Sequence, residues 1–136
     1  MLNICLFIFL FTALGLTNHG NTSGLVQHYG ACKAVGIKPI MGVEAYFLPK
    51  YKEQTRGFHL CLFAKNLKGY ENINRIQSEG ELQKFYNPIV TFDQLQKYHE
   101  GVICSTACVA GFLAQCIIHG KYLQAKKFIK DRKSVV

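Results

Sequence analysis

Four side chains of metal-binding type stand beside apolar runs, far apart along the chain: His19, Glu44, His59 and Cys108. Imidazole, carboxylate and thiolate are the donors a divalent cation accepts, so together they make a candidate metal rim. His19 lies in the turn-rich string Asn18-His19-Gly20-Asn21, where imidazole either binds a cation or holds the turn by hydrogen bonds. Glu44 sits in Met41-Gly42-Val43-Glu44-Ala45-Tyr46. A carboxylate among apolar strand residues is costly unless it is paired, metal-bound or turned to solvent at a strand end. His59 opens an apolar run, as a ligand or as a core-edge histidine. Cys108 reads as the start of a helix, where the dipole favours thiolate; the alternative is a packed small hydrophobe. His28, His99 and His119 fall among polar neighbours and read as surface residues.

The surrounding pattern alternates short β-rich runs with helical stretches. Ala13–Thr17 reads as a buried strand, and Ser23 is placed to cap a helix to about Val35, ended by Gly36. Ile37–Leu48 returns to strand character, Lys50–Gly57 is a polar loop, and His59–Ala64 is a second apolar run. Asn66 caps a helix carrying Tyr70, Ile73 and Ile76 at helical spacing. Thr91-Phe92-Asp93-Gln94 has the form of a capping box, with a short helix to about His99. Gly101–Ser105 is a third buried run. Ala107–Ile118 reads as a helix broken by Gly120, and Tyr122, Ala125, Phe128 and Ile129 mark one face of a last helix. Apolar strands alternating with helices predict an α/β fold with a parallel sheet covered on both faces. Ligands in such folds gather at the carboxyl ends of strands, where His19 and Cys108 fall, with Glu44 inside or just after a strand.

Composition bounds the rest. The chain has 136 residues, 49% apolar, which excludes a disordered tail and suffices for one domain or part of one. A net charge of +8 suits an anionic partner such as nucleic acid, or simply keeps the surface soluble. Lys121, Lys126, Lys127, Lys130, Arg132 and Lys133 read as a solvated helix face, with phosphate contact the sharper alternative. The six cysteines contain no C-x-x-C pair and mostly sit in apolar runs, so free thiols in a reducing, cytoplasmic setting are expected. Ile4–Leu16 is apolar but shorter than the ~20 residues of a bilayer span. It has no Lys or Arg before it and no A-x-A site after it, so a buried element or a non-native start of the reading frame is the better reading than a signal peptide. No Walker A loop, GxGxxG, GxSxG or HExxH occurs.

Four blocks resemble a known family, the PHP (polymerase and histidinol phosphatase) domain. Phe11–Asn21 is similar to a segment ending T-D-H-G-N, and Gly36–Tyr46 to G-I-K-P-I-x-G-x-E-x-Y. His59–Asn66 with Gly69, Tyr70 and Asn72 is similar to H-L-x-L-L-A-K-N-x-x-G-Y-x-N, and Gly101–Gly111 to G-L-I-x-L-S-A-C-L-x-G. The second and third blocks resemble the version found in bacterial-type replicative polymerases of the DNA polymerase III alpha-subunit type. The alternative is a free-standing PHP phosphoesterase, which does not usually carry the A-K-N-x-x-G-Y block. A secreted binding module is a third reading, resting only on the apolar start and the cysteines.

The resemblance implies a partial, distorted (β/α)7 barrel over 11–130, belonging to a longer DNA-directed polymerase. It implies a centre of zinc- or manganese-type ions with His19, Glu44, His59 and Cys108 as ligands, and magnesium for the parent polymerase. A mixed N/O/S set suits zinc best. Some members use the centre as a 3′–5′ exonuclease; in others it is structural. DNA and replisome subunits are the implied partners, with no membrane. The departures are specific. Met1–Leu10 supplies no H-x-H pair, the later D-x-H pair is absent, and Asn18 stands where the family has Asp. Phe85-Tyr86-Asn87-Pro88-Ile89 lacks the family's Lys and Arg. Residues 1–10 do not match, and Asp131–Val136 is the translation of a common sequencing-adapter read, so both ends are expected to be foreign to the domain. An incomplete set of ligands predicts that this chain alone neither polymerises nor hydrolyses DNA.

Overall fold

The computed structural model describes residues 11–50, 57–82 and 86–133. Cys5, the 4–10 part of the apolar start, the 51–56 part of the polar loop, Phe85 and the 134–136 end of the tail lie outside these residues. Among the described residues, five strands and five helices follow one another: β1 (Ala13–His19), α1 (Leu25–Ala34), β2 (Lys38–Leu48), β3 (Phe58–Ala64), α2 (Leu67–Leu82), β4 (Ile89–Thr91), α3 (Phe92–Lys97), β5 (Val102–Thr106), α4 (Phe112–Ile118) and α5 (Tyr122–Lys133).

The strands form one sheet in the order β1-β2-β3-β5, and β4 pairs β2. The expected all-parallel sheet is corrected to a mixed one. β1 and β4 run parallel to β2, whereas β3 is antiparallel to both β2 and β5. The 49–57 connection is the reason at β2–β3: a parallel crossover needs roughly a dozen residues or more, usually a helix, and this link is too short. The architecture is mixed α/β; among the described residues the sheet is open, with no closed barrel.

Burial is also one-sided. Val43, Ala45, Phe47, Leu60 and Leu62 alternate onto one face and meet Ile73 and Ile76 of α2, Phe112 and Cys116 of α4, and Ala125 and Phe128 of α5 in a single core. The opposite face carries the other half of each strand. There Ile40 and Ile103 keep 36% and 48% of their surface exposed, so the expectation of cover on both faces does not hold among the described residues.

Local chemistry explains the element ends. The Asn66 side chain accepts a hydrogen bond from the Gly69 backbone N–H at 2.9 Å, capping α2. Gly69 also lets α2 touch the turn before β5: a Cβ there would lie 1.8 Å from the Gly101 carbonyl oxygen. Asn72 donates to the Glu100 carbonyl at 2.8 Å, fixing the entry to β5. The Thr91–Gln94 capping box is formed in both directions. The expected Ser23 cap is not: its hydroxyl donates to Asn21 Oδ1, and Gly24 starts α1 without a side-chain cap. No described helix is long and apolar enough to cross a membrane.

Candidate metal centre

Glu44 stands at the middle of the site because β2 does. In register, it lies opposite His19 of β1 on one side, and His59 of β3 lies opposite Tyr46 on the other. Period-two alternation sends Glu44 and His59 to the face away from the core. The Glu44 carboxylate then bridges the two imidazoles. Its Oε2 is 3.2 Å from His19 Nδ1, and its Oε1 is 2.8 Å from His59 Nδ1. The two rings stand 5.3 Å apart. One ligand atom from each residue falls within 4.8 Å of the others, so the three together can hold a metal ion.

Exposure grades across the group. The side chains of Glu44 and His59 keep 13% and 21% of their surface, that of His19 61%. Glu44 Oε1 is buried and, although 2.8 Å from His59 Nδ1, has no hydrogen-bond partner. A buried carboxylate oxygen left in this way is expensive, and a bound cation would satisfy it. The donor set therefore fits a divalent ion on this observation.

Cys108 reaches the same place by another route. Its Sγ lies 3.2 Å from His59 Nδ1, although it falls outside the tightest group. The expected helix start at Cys108 is corrected: α4 begins at Phe112, after Gly111. The intervening segment is held as a turn, with the Gly111 N–H donating to the Cys108 carbonyl at 2.9 Å. The His59 N–H donates to the Ala110 carbonyl at 3.2 Å, and Gly111 bridges to His59. These bonds, rather than a helix dipole, bring the thiol to the imidazole.

Three contributors were not legible as site residues. Tyr46 packs its ring edge-on to His59 at 5.3 Å. It also lies over Gly20, which has φ +62° and where a Cβ would come within 2.7 Å of the ring. Gly20 N–H in turn donates to the Glu44 carbonyl at 2.9 Å, fastening the His19 turn to β2. Cys61, opposite Glu44, shares its face. Burial pushes the Cys61 thiol up from its ordinary value, and the negative charges of Glu44 and Cys108 push the same way. The period-two count from Glu44 and His59 was the signal that could have found Tyr46 and Cys61.

The other expectations sort clearly. Asn18 points away, towards Gly24, where a Cβ would lie 2.9 Å from its Nδ2. His99 and His119 are exposed, as expected of surface residues. His28 is half-buried, its Nε2 3.0 Å from the Leu14 carbonyl oxygen, so it ties α1 to β1. Among the described residues, Cys32, Cys61, Cys104, Cys108 and Cys116 are outside any disulfide. Lys121, Lys126, Lys127 and Lys130 are exposed around the buried Ala125 and Phe128.

Comparison with known proteins now bears on this geometry. The family model described as the PHP domain matches residues 10–136. A DNA polymerase III subunit alpha of Borreliella burgdorferi is 40% identical over 130 residues, covering 90% of this chain and 11% of that protein. One of Campylobacter jejuni is 40% identical over 105 residues, covering 74% of this chain and 9% of that protein. One of Aquifex aeolicus is 33% identical over 138 residues, covering 92% and 12%. The chain thus spans about a tenth of the length of the relatives it matches. A match across nearly all of its residues, over a sheet that gathers His19, Glu44 and His59, makes this chain a member of the PHP domain family.

Proposed function

We propose that this chain is the PHP portion of a cytoplasmic replicative DNA polymerase, of the alpha-subunit type, and that His19, Glu44, His59 and Cys108 hold divalent zinc- or manganese-type cations in it. The observation that carries the metal reading is the Glu44 carboxylate, set between two imidazoles with its buried Oε1 left without a hydrogen bond. The polymerase reading rests on the alpha-subunit relatives. DNA and the other replisome subunits are then the partners, met through the rest of the parent, whose polymerising centre uses magnesium.

Bound cations would supply acidified water and charge neutralisation for cleavage of a phosphodiester. The residues of this chain have narrower tasks. Glu44 brings the one formal negative charge among the three clustered side chains. His59, half-enclosed beside Tyr46, is held in one orientation by the ring contact. His19, exposed on its turn, is the member that solvent and substrate meet first. The donors gathered among the described residues, His19, Glu44 and His59 with Cys108 beside them, are enough to bind a cation and too few for a multi-ion centre that turns over DNA.

Calorimetric titration with Zn2+ and with Mn2+ tests this. The unaltered chain is expected to bind, and Glu44→Gln to lose at least roughly tenfold in affinity. Equal binding by both overturns the metal reading. Metal-dependent release of nucleotides from a 3′ end by this chain overturns the view that it is inactive alone.

A further inference from the structure

The register of the sheet places one row of side chains straight across four strands. His19 of β1 faces Glu44 of β2, Glu44 faces Cys61 of β3, and Cys61 faces Ser105 of β5. All four stand on the face away from the core, because Leu60 and Leu62, the chain neighbours of Cys61, are buried on the other. Cys61 is half-buried and free, two residues from His59 on the same strand face. Cys108 Sγ lies 3.2 Å from His59 Nδ1, the ring nitrogen that Glu44 Oε1 approaches at 2.8 Å. The resemblance that implies His19, Glu44, His59 and Cys108 as ligands gives Cys61 no role.

We propose that Cys61 is a further ligand of the centre, acting with Cys108 so that the cation held by Glu44 and His59 takes two sulfur donors. The inference rests on the metal reading above. Cys61, like Cys108, stands outside the three donors whose atoms lie within 4.8 Å of one another, so its side chain has to turn towards the ion to bind it. Directly opposed residues of an antiparallel pair have Cβ atoms ~4.5–5.5 Å apart. A zinc ion takes sulfur at ~2.3 Å and carboxylate oxygen at ~2.0–2.2 Å. A tetrahedral ion then holds the two donor atoms ~3.5 Å apart, within the reach of Glu44 and Cys61 side chains that start from that Cβ spacing. The buried Glu44 Oε1 is the oxygen for such an ion to satisfy. Each thiol gives up its proton to solvent as it binds. Two sulfurs make the site prefer soft cations, zinc and cadmium, over manganese.

Co2+ is the probe, because it reports tetrahedral coordination by its visible bands and each cobalt–thiolate bond by a near-ultraviolet charge-transfer band. The full chain is expected to show both. Cys61→Ser and Cys108→Ser should each keep the visible bands and lose about half of the charge-transfer intensity, and the double variant should lose all of it. Cys61→Ser should also weaken Cd2+ binding by at least roughly tenfold while leaving Mn2+ within about twofold. Full charge-transfer intensity in Cys61→Ser overturns the proposal and leaves the metal reading standing. No cobalt bands in the unaltered chain remove the metal reading and the proposal together. A second measurement needs no variant: Zn2+ should slow alkylation of both Cys61 and Cys108 in the unaltered protein, and protection of Cys108 alone overturns the proposal.

Discussion

At the scale of the single residue, the metal centre proposed above would give up stability for binding. Glu44 keeps a buried oxygen without a hydrogen bond beside two imidazoles. Such a group is costly in the metal-free protein. Glu44→Gln is therefore expected to leave the metal-free melting temperature unchanged or raised while cation binding falls, a pairing that calorimetry and thermal melts check together. Gly20 carries the opposite sign. Its φ of +62° and its contact with the Tyr46 ring leave no room for a side chain. Gly20→Ala should cost roughly 1–3 kcal/mol in denaturant unfolding, from left-handed strain and overpacking combined. It should also weaken cation binding, because the same turn carries His19.

At the scale of the element, the ends of helices are tied by side chains that the metal centre does not use. The Thr91–Gln94 capping box holds the start of α3. Thr91→Ala should lower stability by about 1 kcal/mol in urea titration and leave cation affinity as it is. Between α2 and α3, Glu79 accepts from Tyr98, from Lys97 at 3.2 Å and from Gln94 at 3.4 Å. The Tyr98 hydroxyl is the main reason the Glu79 carboxyl is held below its usual value, with Lys97 and Gln94 adding to it. A carboxyl depressed in the folded state contributes stability above its ordinary value of 4.5 and loses it as pH falls through the lower folded value. Glu79→Gln and Tyr98→Phe should both flatten the acid limb of a melting-temperature profile below that pH. Solvent exposure keeps the effect small.

At the scale of the whole molecule, the sheet has, among the described residues, one face packed by helices and one that carries the candidate donors. The packed face carries the core with α2, α4 and α5, and the other carries Glu44, Tyr46, His59 and Cys61 beside partly exposed Ile40 and Ile103. Because the donors come from three strands and a turn, a cation bound there ties together segments that are distant in the chain. Zn2+ should therefore raise the melting temperature. A free concentration of a hundred times Kd contributes about 2.7 kcal/mol, provided that the unfolded chain does not compete for the ion. The Glu44→Gln variant should show little of this rise. Equal rises in both proteins would place the stabilising ion elsewhere.

Much of this was legible from one dimension. Strand and helix positions follow local signals: alternation in β2 and β3, Asn66 and Thr91 as caps, Ile73 and Ile76 at helical spacing. These are contacts within a few residues, which sequence spacing specifies directly. His19, Glu44, His59 and Cys108 were legible as donor types, and the resemblance grouped them. Three things waited for the tertiary structure. The sheet is mixed rather than parallel: the short link from β2 returns β3 antiparallel once the two are neighbours, and only the assembled sheet shows which strands are neighbours. Cys108 meets His59 through a turn bonded to β3, not through a helix end. The row His19–Glu44–Cys61–Ser105 exists only once pairing register is set, since a slip of one residue would send every one of these side chains to the other face.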